Sequence, residues 1–409
     1  MNQGPHIVII GANFAGLAAA QRIGSLAEVT LIDPSRHFEF IPNIHELVSA
    51  RKVPTDLRLD RGKLIQKLGH RWLHDRVIAL DPSKNQLQTA QGETVSYDAC
   101  VLATGGTNNY FGVKGAAEHA FPFKSVADCY AIGNRFRELQ REQEPFSVVI
   151  VGAGSEGVEA LGEMLRKRNL RYPMQIHLVE GQGRLLPELP AKTSREILRL
   201  CKMLPVRFHF GQRIEEVKAG SVVLADGSSL DSDLTIWTGG VKPNPLLHES
   251  GLTDSANDWV TVNSKLQSLK YPNVFVAGDA ADLKKTDSKQ AYFAMESGER
   301  AGANALHYLQ DRKLLDFSTL KRPYLYSFGD LSCFLIYENH VLAGTPLAAL
   351  KEGIYQKTMI DMQNLDSCDL IAEVFSRGLP SFVSEASTIL DTFLEAPLDF
   401  IFRPAVRLL

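Results

Sequence analysis

Cysteine is scarce in this chain, and what there is lies scattered. The 409 residues include five, Cys100, Cys129, Cys201, Cys333 and Cys368. They show no CxxC or CxxxxC spacing and their number is odd, which excludes a disulfide framework and a short-spaced redox pair. No uncharged apolar stretch approaches the roughly 20 residues that span a bilayer. Blocks of Lys and Arg are missing too, and a net charge of −3 leaves no basic footprint for nucleic acid. No cluster of His, Cys or carboxylate has the spacing of metal ligands. The first apolar run starts at His6 or Ile7, with no room for the charged and apolar regions of a secretory leader. These absences lead us to expect a protein of the reducing cytoplasm. A composition of 44% hydrophobic and 22% charged residues is ordinary for a soluble chain, and the length suffices for two or three domains, each with its own core.

What the chain does have is one glycine-rich punctuation used twice. Gly11-Ala12-Asn13-Phe14-Ala15-Gly16 follows the apolar run 7–10, and Gly152-Ala153-Gly154-Ser155-Glu156-Gly157 follows the run 148–151, 141 residues further on. In each, a buried strand feeds a helix whose first amides face a phosphate, the pattern of a Rossmann dinucleotide turn. The first unit continues through a helix at 15–26 and a strand at 29–32 to Asp33, 22 residues after Gly11. That matches the spacing of about 20 at which an acid meets the adenosine ribose. The second continues through a helix at 157–168 and a strand at 175–179 to Glu180, where a carboxylate accepts from a free 2′-hydroxyl and repels a 2′-phosphate, favouring NADH over NADPH. Arg184, four residues later, works against that preference. One dinucleotide needs one such unit. Two units suggest a bound flavin dinucleotide and a passing nicotinamide dinucleotide.

Three further strand ends carry small residues. Segment 97–106 closes on Ala103-Thr104-Gly105-Gly106, segment 234–238 on Gly239-Gly240, and segment 273–276 on Ala277-Gly278-Asp279-Ala280. Gly at such points lets the backbone come close to a ligand, and Asp279 directly after a strand-end glycine reads as a ligand contact. Pro243 and Pro245 are read as excluding helix around 241–245. A helix is expected at 292–309. From about 317 short antiparallel strands follow at 324–328, 332–337 and 341–343, with Asn339-His340 as a hairpin turn and then a helix at 351–362. The fold class expected is α/β, with two Rossmann-type domains and a C-terminal α+β domain. The boundaries expected are 1–115 with 241–315 for the flavin domain, 116–240 for the NADH domain, and 316–409 for a C-terminal interface domain.

Five elements in order carry a resemblance to a family. They are Phe38-Glu39-Phe40-Ile41-Pro42, the run 101–105, Gly157-Val158-Glu159, the run 236–245 and the run 273–280. Over roughly 6–362 the chain resembles the two-dinucleotide-binding flavoproteins of pyridine nucleotide-disulfide oxidoreductase fold. Within them it is most similar to type II NADH dehydrogenases (NADH:quinone oxidoreductases) and their apoptosis-inducing-factor-like relatives. The resemblance implies FAD held by Gly11, Asn13, Phe14, Ala15, Gly16 and Asp33, bordered by Ala103, Thr104 and Gly105, and met by Gly278 and Asp279. It implies NADH at Gly152, Gly154, Gly157, Glu180 and Gly239, with Glu159 an acid near nicotinamide and flavin. Asn13 stands where the fingerprint has glycine, and is expected to serve because Asn tolerates unusual dihedrals. Tyr292 and Glu296 stand where the type II enzymes carry two glutamines beside flavin and quinone, and are the remaining catalytic candidates.

Several readings stay open in the sequence. The electron acceptor is a quinone, a ferredoxin- or rubredoxin-type protein, or none at all in a flavin-bound NADH sensor. Glu159 also suits the favourable dipole at a helix start. His37 and His45 are read as surface residues or as facing the flavin. Cys100 is read as a buried thiol, and a flavin-side cysteine pair made by Cys333 with Cys129 or Cys201 has no spacing in its favour. The apolar tail 381–409 is either an interfacial surface on the cytoplasmic face of the inner membrane, or a helix packed on its own domain or in a homodimer.

Overall fold

The computed structural model describes residues 4–168, 173–283, 289–319, 322–364 and 407–408. The chain divides into two compact units, one of Met1–Glu39, Arg58–Thr107 and Val241–Leu320, the other of Phe40–Leu57, Asn108–Gly240 and Lys321–Leu409. The expected C-terminal domain does not separate: its described residues 322–364 cluster with the second unit, as do residues 40–57.

The core of the first unit is a parallel sheet in the order Val274–Val276, Ala99–Leu102, His6–Ile10, Glu28–Ile32, Arg71–Leu73. Its central strand is apolar and closed to solvent from Ile7 to Ile10, the mark of a strand covered on both faces. Helix Phe14–Ile23 follows it, and stops where Gly24 turns to φ 54, so residues 24–26 form a separate 3-10 turn where a continuous helix was expected. Helix Ala291–Leu309 packs along it through its smallest residues. A Cβ on Gly298 would lie 2.2 Å from the carbonyl oxygen of Ala15, and one on Gly302 would lie 2.6 Å from that of Ala19. Two glycines one turn apart thus admit the neighbouring backbone.

The second unit repeats this topology with its own residues. Its parallel sheet runs Phe121–Pro122, Leu234–Trp237, Phe146–Val151, Met174–Glu180, Val206–Phe210. Each unit also inserts a three-stranded antiparallel meander between its outer and inner sheet strands: Val77–Asp81, Gln86–Thr89 and Thr94–Ser96 in the first, Ile214–Lys218, Ser221–Leu224 and Ser229–Asp231 in the second. Their alternating exposed and buried residues were not resolved as strands from the sequence. In the second unit the hairpins Tyr324–Phe328, Ser332–Tyr337 and His340–Ala343 join helix Ser155–Arg166 at a bare backbone contact, where a Cβ on Gly162 would lie 2.4 Å from the amide nitrogen of Gly329.

Two local expectations are corrected. Pro243 ends a short strand, but Pro245 opens helix Pro245–Glu249, whose N-cap Asn244 accepts from the Leu246 amide at 3.1 Å. At the first helical position the missing N–H of proline costs nothing and its fixed φ helps. The C-terminal hairpin turns at Glu338-Asn339, with Glu338 at φ 52, and His340 already belongs to the next strand. The tail 381–409 and Cys368 lie outside the described residues, apart from Arg407–Leu408, which pairs with His340–Ala343.

Replacing Gly302 with Ala sets a helix-propensity gain of about 1 kcal/mol against an overpacking cost of typically 1–3 kcal/mol. Because the obstacle is a backbone carbonyl, the cost wins. Urea unfolding of Gly302→Ala is expected to show a lower midpoint, with a net loss of roughly 1–2 kcal/mol.

Candidate functional site

Within each unit the glycine turn is built by the same three contacts. Gly11 has φ +94 and Gly152 φ +98, a region that penalises any side chain. The last glycine of each turn lets the helix start seat on the first: a Cβ on Gly16 would fall 1.9 Å from the Gly11 carbonyl oxygen, and one on Gly157 2.0 Å from that of Gly152. The strand-end acid then closes the turn. Asp33 Oδ2 accepts from the Ala12 amide at 2.8 Å, and Glu180 Oε2 from the Ala153 amide at 2.7 Å. A Cβ on Gly154 would meet nothing within 4 Å, so this glycine leaves open space beside the turn.

Asn13 takes φ −97 and ψ −144, outside the helical and extended regions, and its side chain also ties the turn to Glu39, donating from Nδ2 to the Glu39 carbonyl at 3.2 Å and accepting at Oδ1 from the Glu39 amide at 3.1 Å. Phe14 and Ala15 are buried, Phe14 packing edge-on to Phe38 with centroids 5.0 Å apart, so their side chains serve the core.

The other candidates of the first unit lie on this sheet and its covering helix. The Ala103 amide donates to the Ile10 carbonyl at 2.8 Å, carrying the strand end past the first turn to Thr104 and Gly105, the latter at φ +60. The hydroxyls of Thr104 and Thr107 are buried without a hydrogen-bond partner, an arrangement that suits a bound polar group. Gly278, at φ +63, donates its amide to Ser297 Oγ at 2.9 Å, which sets the 3-10 turn Gly278–Ala280 and with it Asp279. Tyr292 and Glu296 lie one turn apart on helix Ala291–Leu309, and Glu296 Oε2 accepts from Thr319 Oγ1 at 2.8 Å.

In the second unit Gly239 is required by its neighbour: a Cβ there would meet Trp237 Nε1 at 2.8 Å, and that indole is fixed by donating to the Asn109 carbonyl at 2.8 Å. Glu159 faces inward from helix Ser155–Arg166 into a cluster that the sequence did not reveal. Lys351 Nζ donates to its Oε1 at 2.6 Å, the Ser327 amide approaches the same oxygen at 3.4 Å, and His45 Nδ1 stands 3.5 Å from Oε2. Lys351 Nζ also lies 3.4 Å from His45 Nε2. His45 is 1% exposed, which corrects its reading as a surface histidine. Burial pushes the Glu159 carboxyl up against the opposing pull of Lys351, and burial with the nearby cations Lys351, Arg166, Arg51 and Lys52 holds His45 well below its ordinary range, hence neutral. One turn along, fully buried Glu163 takes hydrogen bonds from Ser49 Oγ and from Arg166 Nε at 3.1 Å. His45 and Lys351 come from 3-10 helix Ile41–Leu47 and helix Leu347–Asn364, remote in sequence from Glu159, and no motif marks them.

The described cysteines, Cys100, Cys129, Cys201 and Cys333, are all free and buried. Burial pushes the Cys333 thiol up to about 11 and that of Cys201 up to about 12, so neither is a ready thiolate near neutral pH. Among the described residues no helix is long and apolar enough to cross a membrane.

Residues 5–298 match the family described as pyridine nucleotide-disulphide oxidoreductase. The alternative NAD(P)H-ubiquinone oxidoreductase C1 of Arabidopsis thaliana is 25% identical over 366 residues, covering 77% of this chain and 70% of that protein. A type II NADH:quinone oxidoreductase of Staphylococcus aureus is 22% identical over 401 residues, covering 91% and 98%. The solved structure of NDH2 from Plasmodium falciparum in complex with NADH superposes with a TM-score of 0.78 at 16% identity, covering 87% of this chain and 95% of that one, and so shares its fold.

A histidine kept neutral by the fold stabilises the protein above its unfolded pKa of about 6.5, and that contribution is lost as pH falls, because the unfolded chain then takes a proton that the folded one refuses. His45→Asn is therefore expected to flatten the fall in urea stability between pH 7.5 and 5.5 by roughly 1 kcal/mol. An unchanged pH slope would remove the assignment of a neutral His45.

Proposed function

The chain belongs to the pyridine nucleotide-disulphide oxidoreductase family, and on that premise we propose that it is an FAD-dependent oxidoreductase that oxidises NADH and passes the electrons to a quinone. The single observation that carries this reading is the duplicated turn: two closed glycine turns in one chain, each with its strand-end acid on the turn amide, the arrangement that two dinucleotides would need. The quinone acceptor rests on the names of the relatives and on the resemblance noted above.

The residues fit the two cofactors in this way. Asp33 would accept from the adenosine ribose of FAD, the start of helix Phe14–Ile23 would face its pyrophosphate, Thr104 would satisfy its buried hydroxyl on the flavin side, and Gly278 with Asp279 would meet the ribityl chain. FAD held there would supply the chemistry, hydride acceptance from NADH and electron delivery to the acceptor. In the second unit Gly152, Gly154 and Gly157 would admit the NADH pyrophosphate, Glu180 the adenosine ribose, and Gly239 the nicotinamide half. Reduction of a quinone by NADH consumes one proton beyond the hydride, and Glu159 with Lys351 is a dry pair able to hold a proton at Oε1 or Nζ. Tyr292 and Glu296 are assigned to the acceptor side. A lipid-soluble quinone places the protein at a membrane surface, and the apolar tail 381–409 is proposed as its interfacial contact on the cytoplasmic face, with pairing of two chains through the same tail as the alternative use.

Anaerobic addition of NADH to the FAD-loaded protein is expected to bleach the flavin absorbance, and a soluble quinone analogue to restore it at tens per second or more, the range of enzymes. Recovery only with an iron-sulfur protein would replace quinone as the acceptor, and slow recovery with every acceptor would make the protein a sensor. Separately, Glu180→Ala is expected to lower the preference for NADH over NADPH about tenfold or more in kcat/KM, since the 2′-hydroxyl loses its acceptor and the 2′-phosphate its repulsion. An unchanged ratio would refute that role.

A further inference from the structure

The two strand-end acids differ in one respect that their common turn does not require. In the first unit Asp33 is clamped from three sides. Oδ2 takes the Ala12 amide at 2.8 Å, Oδ1 takes the Ser35 amide at 2.8 Å, and Arg61 Nη1 donates to Oδ1 and to the Ser35 carbonyl. Arg61 is 3% exposed, seated at the first position of helix Arg61–Lys67 with its own amide bonded to the Arg36 carbonyl at 3.0 Å. Burial disfavours its charge, while Asp33 first and Glu39 second favour it. Glu39 is itself engaged by Arg58, with Nη2 at 2.7 Å, and the ion pair that Arg61 makes among the described residues is with Asp33. In the second unit the Glu180 carboxylate, among the described residues, takes the Ala153 amide at 2.7 Å and the Gln182 amide at 2.8 Å. The cation nearest to it in sequence, Arg184, turns to its own loop and donates to the carbonyls of Leu186, at 2.8 Å, and Pro187. Among the described residues Glu180 forms no ion pair.

A dry ion pair of this kind adds little to the stability of a fold, because the desolvation of both charges offsets their attraction. What it does is fix a carboxylate in one orientation. A binding group fixed beforehand loses no freedom when its ligand arrives, and that saving is expressed mainly as slower release. We infer that Arg61 is a positioning residue for the resident dinucleotide: it holds Asp33 in the ribose-accepting orientation and slows escape of FAD from the first unit, whereas Glu180, without such a cation, leaves the second dinucleotide free to exchange. This rests on the assignment of FAD to the first unit made above.

The test compares FAD-loaded wild type with Arg61→Met, which removes the charge at similar volume, and Arg61→Lys, which keeps the charge and loses the planar fork. FAD release is followed by flavin fluorescence on dilution, NAD⁺ affinity by calorimetry, and folding by circular dichroism. Release is expected to quicken about tenfold or more in Arg61→Met and several-fold in Arg61→Lys, with the NAD⁺ dissociation constant unchanged within about twofold. In an Asp33→Asn background Arg61→Met should add less than about twofold, since the carboxylate it positions is gone. Release within twofold of wild type in the folded variants, or an Arg61 effect that multiplies in full with that of Asp33→Asn, would overturn the inference. Should Arg61→Met fail to fold, Arg61→Lys alone decides. Wild type that retains no flavin would overturn the assignment of FAD itself, and this inference with it.

Discussion

A hydrogen bond from the second residue of each glycine turn to the acid at the end of the neighbouring strand underlies both sites. Ala12 to Asp33 and Ala153 to Glu180 join the two parallel strands beyond the last ladder bond and hold the turn where the following helix can begin. The bond is possible only because Gly11 and Gly152 take a backbone conformation closed to other residues, and because Gly16 and Gly157 bring the helix against them. Strand order, helix start and ligand-facing amides all follow from that one closure. A carboxylate held by an amide also remains an acceptor for a hydroxyl, so the group that shapes the turn is the group that would meet the ribose.

The second unit shows how much polarity a dry interior accepts when its charges are paired. Glu159, Lys351, His45, Glu163, Ser49 and Arg166 share a region of low exposure, where an isolated charge would cost several kcal/mol. The charges are arranged as acid against base, and the histidine among them stays uncharged. Burial pushes the Glu159 acid up and the His45 base down, so that both resist carrying a charge there.

Much of this was legible in the residues because it is local. The turns at 11–16 and 152–157, the acids that follow them, the strand ends at Thr104, Gly239 and Gly278, and the C-terminal hairpins are all written in short apolar runs and small residues, which physics reads over ten or twenty positions. The family is one with the resemblance drawn from five such runs. What the sequence hid is non-local. Nothing near Glu159 announces Lys351 or His45, nothing near Asp33 announces Arg61, and the two meanders are too short for their alternation to stand out. Pro245 misled because a proline is read as a helix breaker until its position relative to a cap such as Asn244 is known. For Asn13 the sequence suggested only its dihedrals, and not the two hydrogen bonds its side chain makes to Glu39.

The interleaving of the two units along the chain has a consequence for synthesis. Helix Phe14–Ile23 leaves the ribosome early, yet the helix that covers it, Ala291–Leu309, is made about 280 residues later. At about 5–20 residues per second, the apolar sheet of the first unit waits on the order of tens of seconds for its cover. The parallel sheet built between Phe121 and Trp237 is finished during that interval, so the later sheet is translated in full while the earlier one is still incomplete. In the living cell the nascent chain would then depend, for that time, on whatever shields a half-built core from its neighbours.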